Sequence, residues 1–119
     1  MAKLIYNNWI PFKGFVAINI FGLIFARAEY KRAIETNPKI KREVVNHESI
    51  HTEQYKETLF VLFLPLYLIN YVINLMIYFN LNKAYRNICF EREAFEFEND
   101  LEYLDKRKPF EWIKRINNC

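Results

Sequence analysis

The spacing of apolar and polar positions divides the chain into unlike stretches. Residues 1–13 hold Trp9 and Ile10 as anchors and Pro11 as a breaker, which predicts an irregular lead-in. From Gly14 the chain becomes β-branched and aromatic over residues 15–20 and 23–30, with Phe21-Gly22 between them. Two strands joined near Gly22 are expected, as a hairpin or as one bent strand with a bulge. A helix over 15–26 is the competing reading, because the run is almost uncharged, but it is too short for a comfortable membrane span.

Asn37-Pro38 marks a helix start, with Asn as N-cap and proline at the first helical position. The helix is expected to run to about residue 57, with Val44, His47, Ile50, His51 and Gln54 on one side. Asn46 and Gln54 read as ordinary helix residues, with support of a metal ligand as the alternative role. Residues 59–79 contain no charged side chain. Pro65 interrupts this run, and Asn70 and Asn74 with Tyr67, Tyr71 and Tyr78 form a polar stripe on it. A buried core helix is the favoured reading, its stripe serving packing, and a membrane-associated helix is the runner-up. Residues 80–83 read as a turn. A last long helix is expected over 84–104, with Tyr85, Ile88, Ala94, Phe95 and Leu101 on one face and Glu91 embedded in it. Lys106 to Pro109 ends it, and Phe110 to Ile113 packs back on the domain. The expected architecture is α+β in a single domain over 1–119: a short N-terminal β-element and three main helices.

Composition narrows the function classes. The chain is 52% hydrophobic, 18% aromatic and 26% charged, as a foldable domain should be. Its net charge is +3, with no basic block of the kind that binds nucleic acid, so no nucleic-acid partner is expected. Cys89 and Cys119 lack the spacing of a disulfide framework, and Cys89 reads as a buried thiol. The N-terminus has no secretory pattern, so the expected compartment is the cytoplasm, with membrane-surface association as the second option.

The chemistry concentrates in His47-Glu48-Ser49-Ile50-His51, which holds both histidines of the chain. On a helix, positions i and i+4 share a face, so both imidazoles can reach one metal ion. A catalytic zinc site takes a third protein ligand. No histidine remains, and the acidic run from Glu91 to Glu98 is the natural source. Glu91 is the first choice, because a carboxylate on an apolar helix face needs a partner. Glu93 is the next and Glu98 a weaker one. Zn²⁺ would then activate a water, and Glu48 would act as general base in hydrolysis of a peptide or protein substrate. An edge strand from residues 15–30 could hold an extended peptide. Tyr85, Arg86 and Tyr103 are candidates for stabilising the oxyanion. The metal site also requires the chain to fold back between His51 and Glu91, with Pro65 and 80–83 as corners. A single membrane crossing by 59–79 would put the ligands on opposite sides.

Val44-Val45-Asn46-His47-Glu48-Ser49-Ile50-His51-Thr52 resembles the extended zincin pattern, with Glu53 where that pattern usually has an apolar residue. Phe90-Glu91-Arg92-Glu93-Ala94 resembles the glutamate helix of gluzincins, whose third ligand is Glu. The short chain is similar to the minigluzincins, single-domain proteins some of which are latent. This resemblance implies a zinc metallopeptidase, or a non-catalytic metal-binding or membrane-associated protein of the same fold. Gluzincins often carry Asp four residues after the ligand Glu, where it supports a zinc-bound His. Here that position is Phe95, so support must come from elsewhere.

Overall fold

The computed structural model describes residues 3–118. Its first elements are three short strands, β1 (Leu4–Asn7), β2 (Ala17–Ile20) and β3 (Leu23–Arg27), in the order β1-β3-β2. β2 and β3 form the expected antiparallel hairpin, pairing Ala17 with Ala26 and Ile20 with Leu23. Phe21 and Gly22 turn it with φ of 52° and 93°. Two successive positive φ values give a tight turn whose twist matches the strands. The expected irregular lead-in is corrected at β1, which runs parallel to β3 with Leu4 opposite Ile24. Four residues ending in a polar Asn give little local strand signal. Their pairing is fixed only by β3 beside them and by burial of Leu4 against Ile24, Ile34 and Val45.

After a 3₁₀ turn (Ala28–Tyr30) come α1 (Lys31–Thr36) and α2 (Pro38–Glu57). The Asn37 side chain accepts hydrogen bonds from the backbone N–H groups of Lys39 and Ile40 at 3.1 and 3.3 Å, so the cap is as the sequence predicts. α2 is the axis of the molecule. It supplies Val45, Ile50 and Tyr55 to three separate buried clusters, against the sheet, the end of the chain's acidic helix and the aromatic core. Asn19 fastens β2 across it. The Asn19 amide donates to the Glu48 carbonyl and to Thr52 Oγ1, both at 2.7 Å, and the Tyr55 hydroxyl donates to the Asn19 carbonyl at 3.0 Å.

The chain then turns over residues 58–62, where Leu59 and Phe60 hold positive φ, and enters α3 (Phe63–Tyr78). Pro65 is not the corner. It lies in the first turn of α3, where a missing N–H costs no helical hydrogen bond. The expected core helix also needs correction. Of α3 only Phe63 and Asn74 are fully buried, whereas Leu68 and Met76 are 61% and 64% exposed. No helix among the described residues is long and apolar enough to cross a membrane.

The expected long last helix is broken into α4 (Leu81–Arg86), α5 (Cys89–Phe97) and α6 (Tyr103–Lys106), followed by a 3₁₀ segment (Glu111–Asn118). The asparagines of α3 explain the first break. Asn74 donates to the Ala84 carbonyl at 3.1 Å, near the end of α4. Asn70 accepts from the Cys89 backbone N–H at 2.7 Å, at the start of α5. The two side chains therefore redirect the backbone at Asn87-Ile88, where Ile88 is extended. Trp112 does pack back, against Phe90, while Phe110 and Ile113 stay exposed. Leu101 is exposed too, and Cys89 is buried as expected. Cys119 lies outside the described residues.

Candidate metal centre

His47 and His51 leave α2 one turn apart and point at the first turn of α5. Their Nε2 atoms each stand 3.1 Å from the same oxygen, Glu91 Oε1. The three donor atoms lie within 4.8 Å of one another, and all three residues are buried. The structure thus brings together both histidines and the first-choice glutamate.

The other ring nitrogens decide what this group needs. His47 Nδ1 faces Glu98 Oε1 at 2.7 Å, and His51 Nδ1 faces Gln54 Oε1 at 2.6 Å. Both partners are acceptors, so both Nδ1 atoms carry hydrogens. Neutral imidazoles would then aim bare Nε2 lone pairs at a carboxylate oxygen. Three acceptors converging in a buried space require a positive centre between them. Either each imidazole takes a second proton, or a metal ion sits among the donors. The His47–His51–Glu91 group is thus able to hold a metal ion, and its chemistry fits one.

In the metal-free chain the balance of forces is plain. Burial depresses His47, but the Glu91 and Glu98 carboxylates outweigh it and raise the pKa to about 10. His51 is raised for the same reason, burial being overcome chiefly by Glu91. Burial would push Glu91 up, yet the two imidazoles hold it well below the usual carboxylate range. Glu48 moves the other way, since burial raises it and the imidazoles only partly pull it back.

Supporting side chains surround the group. Gln54 fixes His51 and is fixed in turn, donating to the Phe90 carbonyl at 3.0 Å and to Glu93 Oε1 at 2.9 Å. Asn46 donates to the carbonyls of Phe97, Glu98 and Asp100 at 3.0, 2.9 and 3.1 Å, which anchors the segment that presents Glu98. Tyr67 donates to Glu91 Oε2 at 2.7 Å. Asn46 and Gln54 are therefore positioning residues rather than ordinary helix positions. Tyr67 belongs to the site and not merely to packing. Glu98, seven residues after Glu91, supplies the carboxylate that faces His47 Nδ1. Phe95 instead packs edge-on against the His47 ring at 4.7 Å.

The alternatives for the third ligand separate cleanly. Glu93 faces away from the histidine nitrogens, fully buried, and is bound by Arg107 and by the Tyr103 hydroxyl at 2.6 Å. It closes a buried relay with Arg107, Glu57 and Trp112, in which Arg107 donates to both Glu57 oxygens at 2.7 and 3.0 Å. Tyr103 is thereby removed from the oxyanion candidates. The Arg86 guanidinium lies 4.1 Å over the Phe95 ring. Tyr85 remains. It lines a cavity of about 560 Å³ together with Glu48, His51, Glu91, Tyr67 and Tyr71. Burial, reinforced by Glu91, raises the Tyr85 pKa, so its hydroxyl keeps its proton as a donor. Glu48 Oε2 stands 4.0 Å from His47 Nε2 on the cavity floor. Ala17, Ile18 and Asn19 of edge strand β2 form one wall.

Nothing in the sequence singled out Asn19, Tyr67 or Glu98 for these roles, whereas Asn46 and Gln54 were readable as alternative supports for a ligand. The one available signal was the recurrence of Asn and Tyr through an otherwise uncharged run. Comparison of the chain with protein-family models, curated proteins and solved structures finds no match.

Proposed function

We propose that this chain is a small gluzincin-like zinc metallopeptidase, with His47, His51 and Glu91 as the metal ligands and Glu48 as the general base. One observation carries the reading: both histidine Nε2 atoms meet a single Glu91 oxygen at 3.1 Å, beside Glu48 on the floor of a cavity. Two imidazoles and a carboxylate are a donor set that suits zinc, and three is the number of protein ligands a catalytic site takes. When bound, zinc supplies Lewis acidity, which lowers the pKa of a water and polarises a carbonyl oxygen.

The chain's own residues supply the rest. Burial raises the Glu48 pKa, which strengthens its carboxylate as a proton acceptor. Glu48 takes the proton of the attacking water and delivers it to the leaving amine. β2 pairs with β3 along one edge only, and residues on it line the cavity. Apart from the Asn19 carbonyl, which the Tyr55 hydroxyl takes, its other edge offers backbone groups to an extended peptide. The Tyr85 hydroxyl is the donor best sited for the oxyanion.

Elemental analysis of purified protein, followed by two substitutions, tests this. Wild type should carry stoichiometric zinc and cleave an unstructured peptide pool. His47→Ala should lose the metal. Glu48→Gln should keep the metal and lose roughly 10²–10⁴-fold in cleavage rate. Failure of the wild type to take up zinc overturns the metal assignment. Retention of the metal without cleavage, in wild type as in Glu48→Gln, leaves a non-catalytic metal protein.

A second reading rests on the raised histidine pKa values. With His47 at about 10 and His51 raised by Glu91, the imidazoles grip Glu91 as a metal-free ion network. Zinc uptake must expel those protons, so proton release during zinc titration separates the two readings.

A further inference from the structure

Charge is partitioned along this chain in a way that the metal centre does not use. All 14 acidic residues lie between Glu29 and Glu57 or between Glu91 and Glu111. Residues 1–28 and 58–90 hold only cations, namely Lys3, Lys13, Arg27, Lys83 and Arg86. The same two stretches carry the exposed apolar surface. Of 28 exposed large apolar side chains among the described residues, 23 fall in 5–23 and 59–81. On α3 the exposed positions run from Leu64 round through Leu68, Met76 and Ile73 to Ile77. At 3.6 residues per turn that arc covers roughly 220° of the helix.

The two stretches meet at the mouth of the cavity. Phe12 and Phe15 approach it from the N-terminal side, and Leu64 and Leu81 from the helical side. All four are exposed, Phe12 by 82%. Of the five cations, Lys3, Lys13, Lys83 and Arg86 are exposed, whereas Arg27 is buried. A water-facing surface of this kind, apolar over most of a helix and drawn from stretches whose only charges are cations, is what an interfacial membrane-binding face presents.

We infer that the face around the cavity mouth, formed by α3 and residues 5–23, docks on an anionic lipid bilayer surface. The apolar side chains enter the headgroup boundary, and the exposed cations pair with lipid phosphates. α3 lies in the plane of the interface, because no described helix is long and apolar enough to cross it. The cavity then opens toward the headgroups, and the acidic back of the molecule faces water. A second copy of this chain would meet an equally cationic rim, which makes it the poorer occupant. The inference stands independently of the hydrolytic reading.

Flotation of the full chain with lipid vesicles, alongside its mass in solution by light scattering, tests the inference. Vesicles of three parts phosphatidylcholine to one part phosphatidylglycerol should carry the protein upward. Pure phosphatidylcholine should bind at least ~10-fold more weakly, as should added salt on the anionic vesicles. The double variant Leu68→Glu with Met76→Glu, at two exposed positions, should keep its thermal midpoint and bind at least ~10-fold more weakly. A wild type that is monomeric and stays at the bottom overturns the inference. So does a wild-type dimer that the double variant makes monomeric, since a second copy then covers the face. Undiminished flotation of the double variant overturns it too.

Discussion

Between α2 and α5, polar side chains are taken out of water and tied to one another. His51 is held by Gln54, Gln54 by Glu93, and Glu93 by Arg107, which also grips Glu57. On α3 and the N-terminal segment the reverse holds, with leucines, isoleucines and phenylalanines left facing solvent. The contrast is instructive because burial is costly for charges and favourable for hydrocarbon. A chain that buries Glu48, Glu91 and Glu93 in one place and displays apolar side chains in another has placed its stability on one side and its contacts with other matter on the other.

The sharpest way to break this comparison is to cut the relay. Arg107→Ala leaves Glu57 and Glu93 facing each other without their cation. It should destabilise the fold by about 3–5 kcal/mol in urea unfolding. Leu68→Ser on the open face should change stability by no more than about 0.5 kcal/mol. Equal effects at the two positions would erase the distinction between the halves.

The next effect concerns the acid that stands where the family resemblance expects another. Glu98→Gln keeps the shape but removes the charge that orients His47. Zinc affinity, measured by competition with a chromogenic chelator, should fall about 10–100-fold while saturating zinc still binds. An unchanged affinity would reduce Glu98 to a surface neighbour.

A further test of the comparison is a pH dependence. His47 holds its proton more tightly in the folded chain than in the unfolded one, at about 10 against an ordinary 6.5. In metal-free protein its contribution is therefore complete below about pH 6.5 and is lost as the pH rises through about 10. The thermal midpoint of chelator-treated protein should decline across that window. Zinc-loaded protein should decline less, because the metal replaces the protons. Identical profiles would mean that zinc does not enter this group.

Local signals were legible wherever a few adjacent residues sufficed. Asn37-Pro38 started α2, Gly22 allowed the hairpin turn, and the five-residue motif put two imidazoles on one face. Glu91 was readable as a carboxylate stranded among apolar neighbours. The failures share a cause. β1 has no pattern of its own and exists because β3 lies beside it. The single helix expected over 84–104 is broken because Asn70 and Asn74 take over backbone groups near 84–89 from another helix. An uncharged run reads as core in any hydropathy argument, since sequence reports affinity for burial and not whether anything arrives to bury it.

By itself, then, the sequence determined the strand-forming runs on either side of Gly22, the motif helix and its two histidine donors, because these depend on neighbours within a turn or two. Tertiary structure alone decided that Glu91 rather than Glu93 meets the histidines. It also assigned Glu98 and Gln54 to the two Nδ1 atoms and left α3 on the outside. Each of these turns on the direction of a side chain after the backbone has folded back, and spacing along the chain carries no record of that direction.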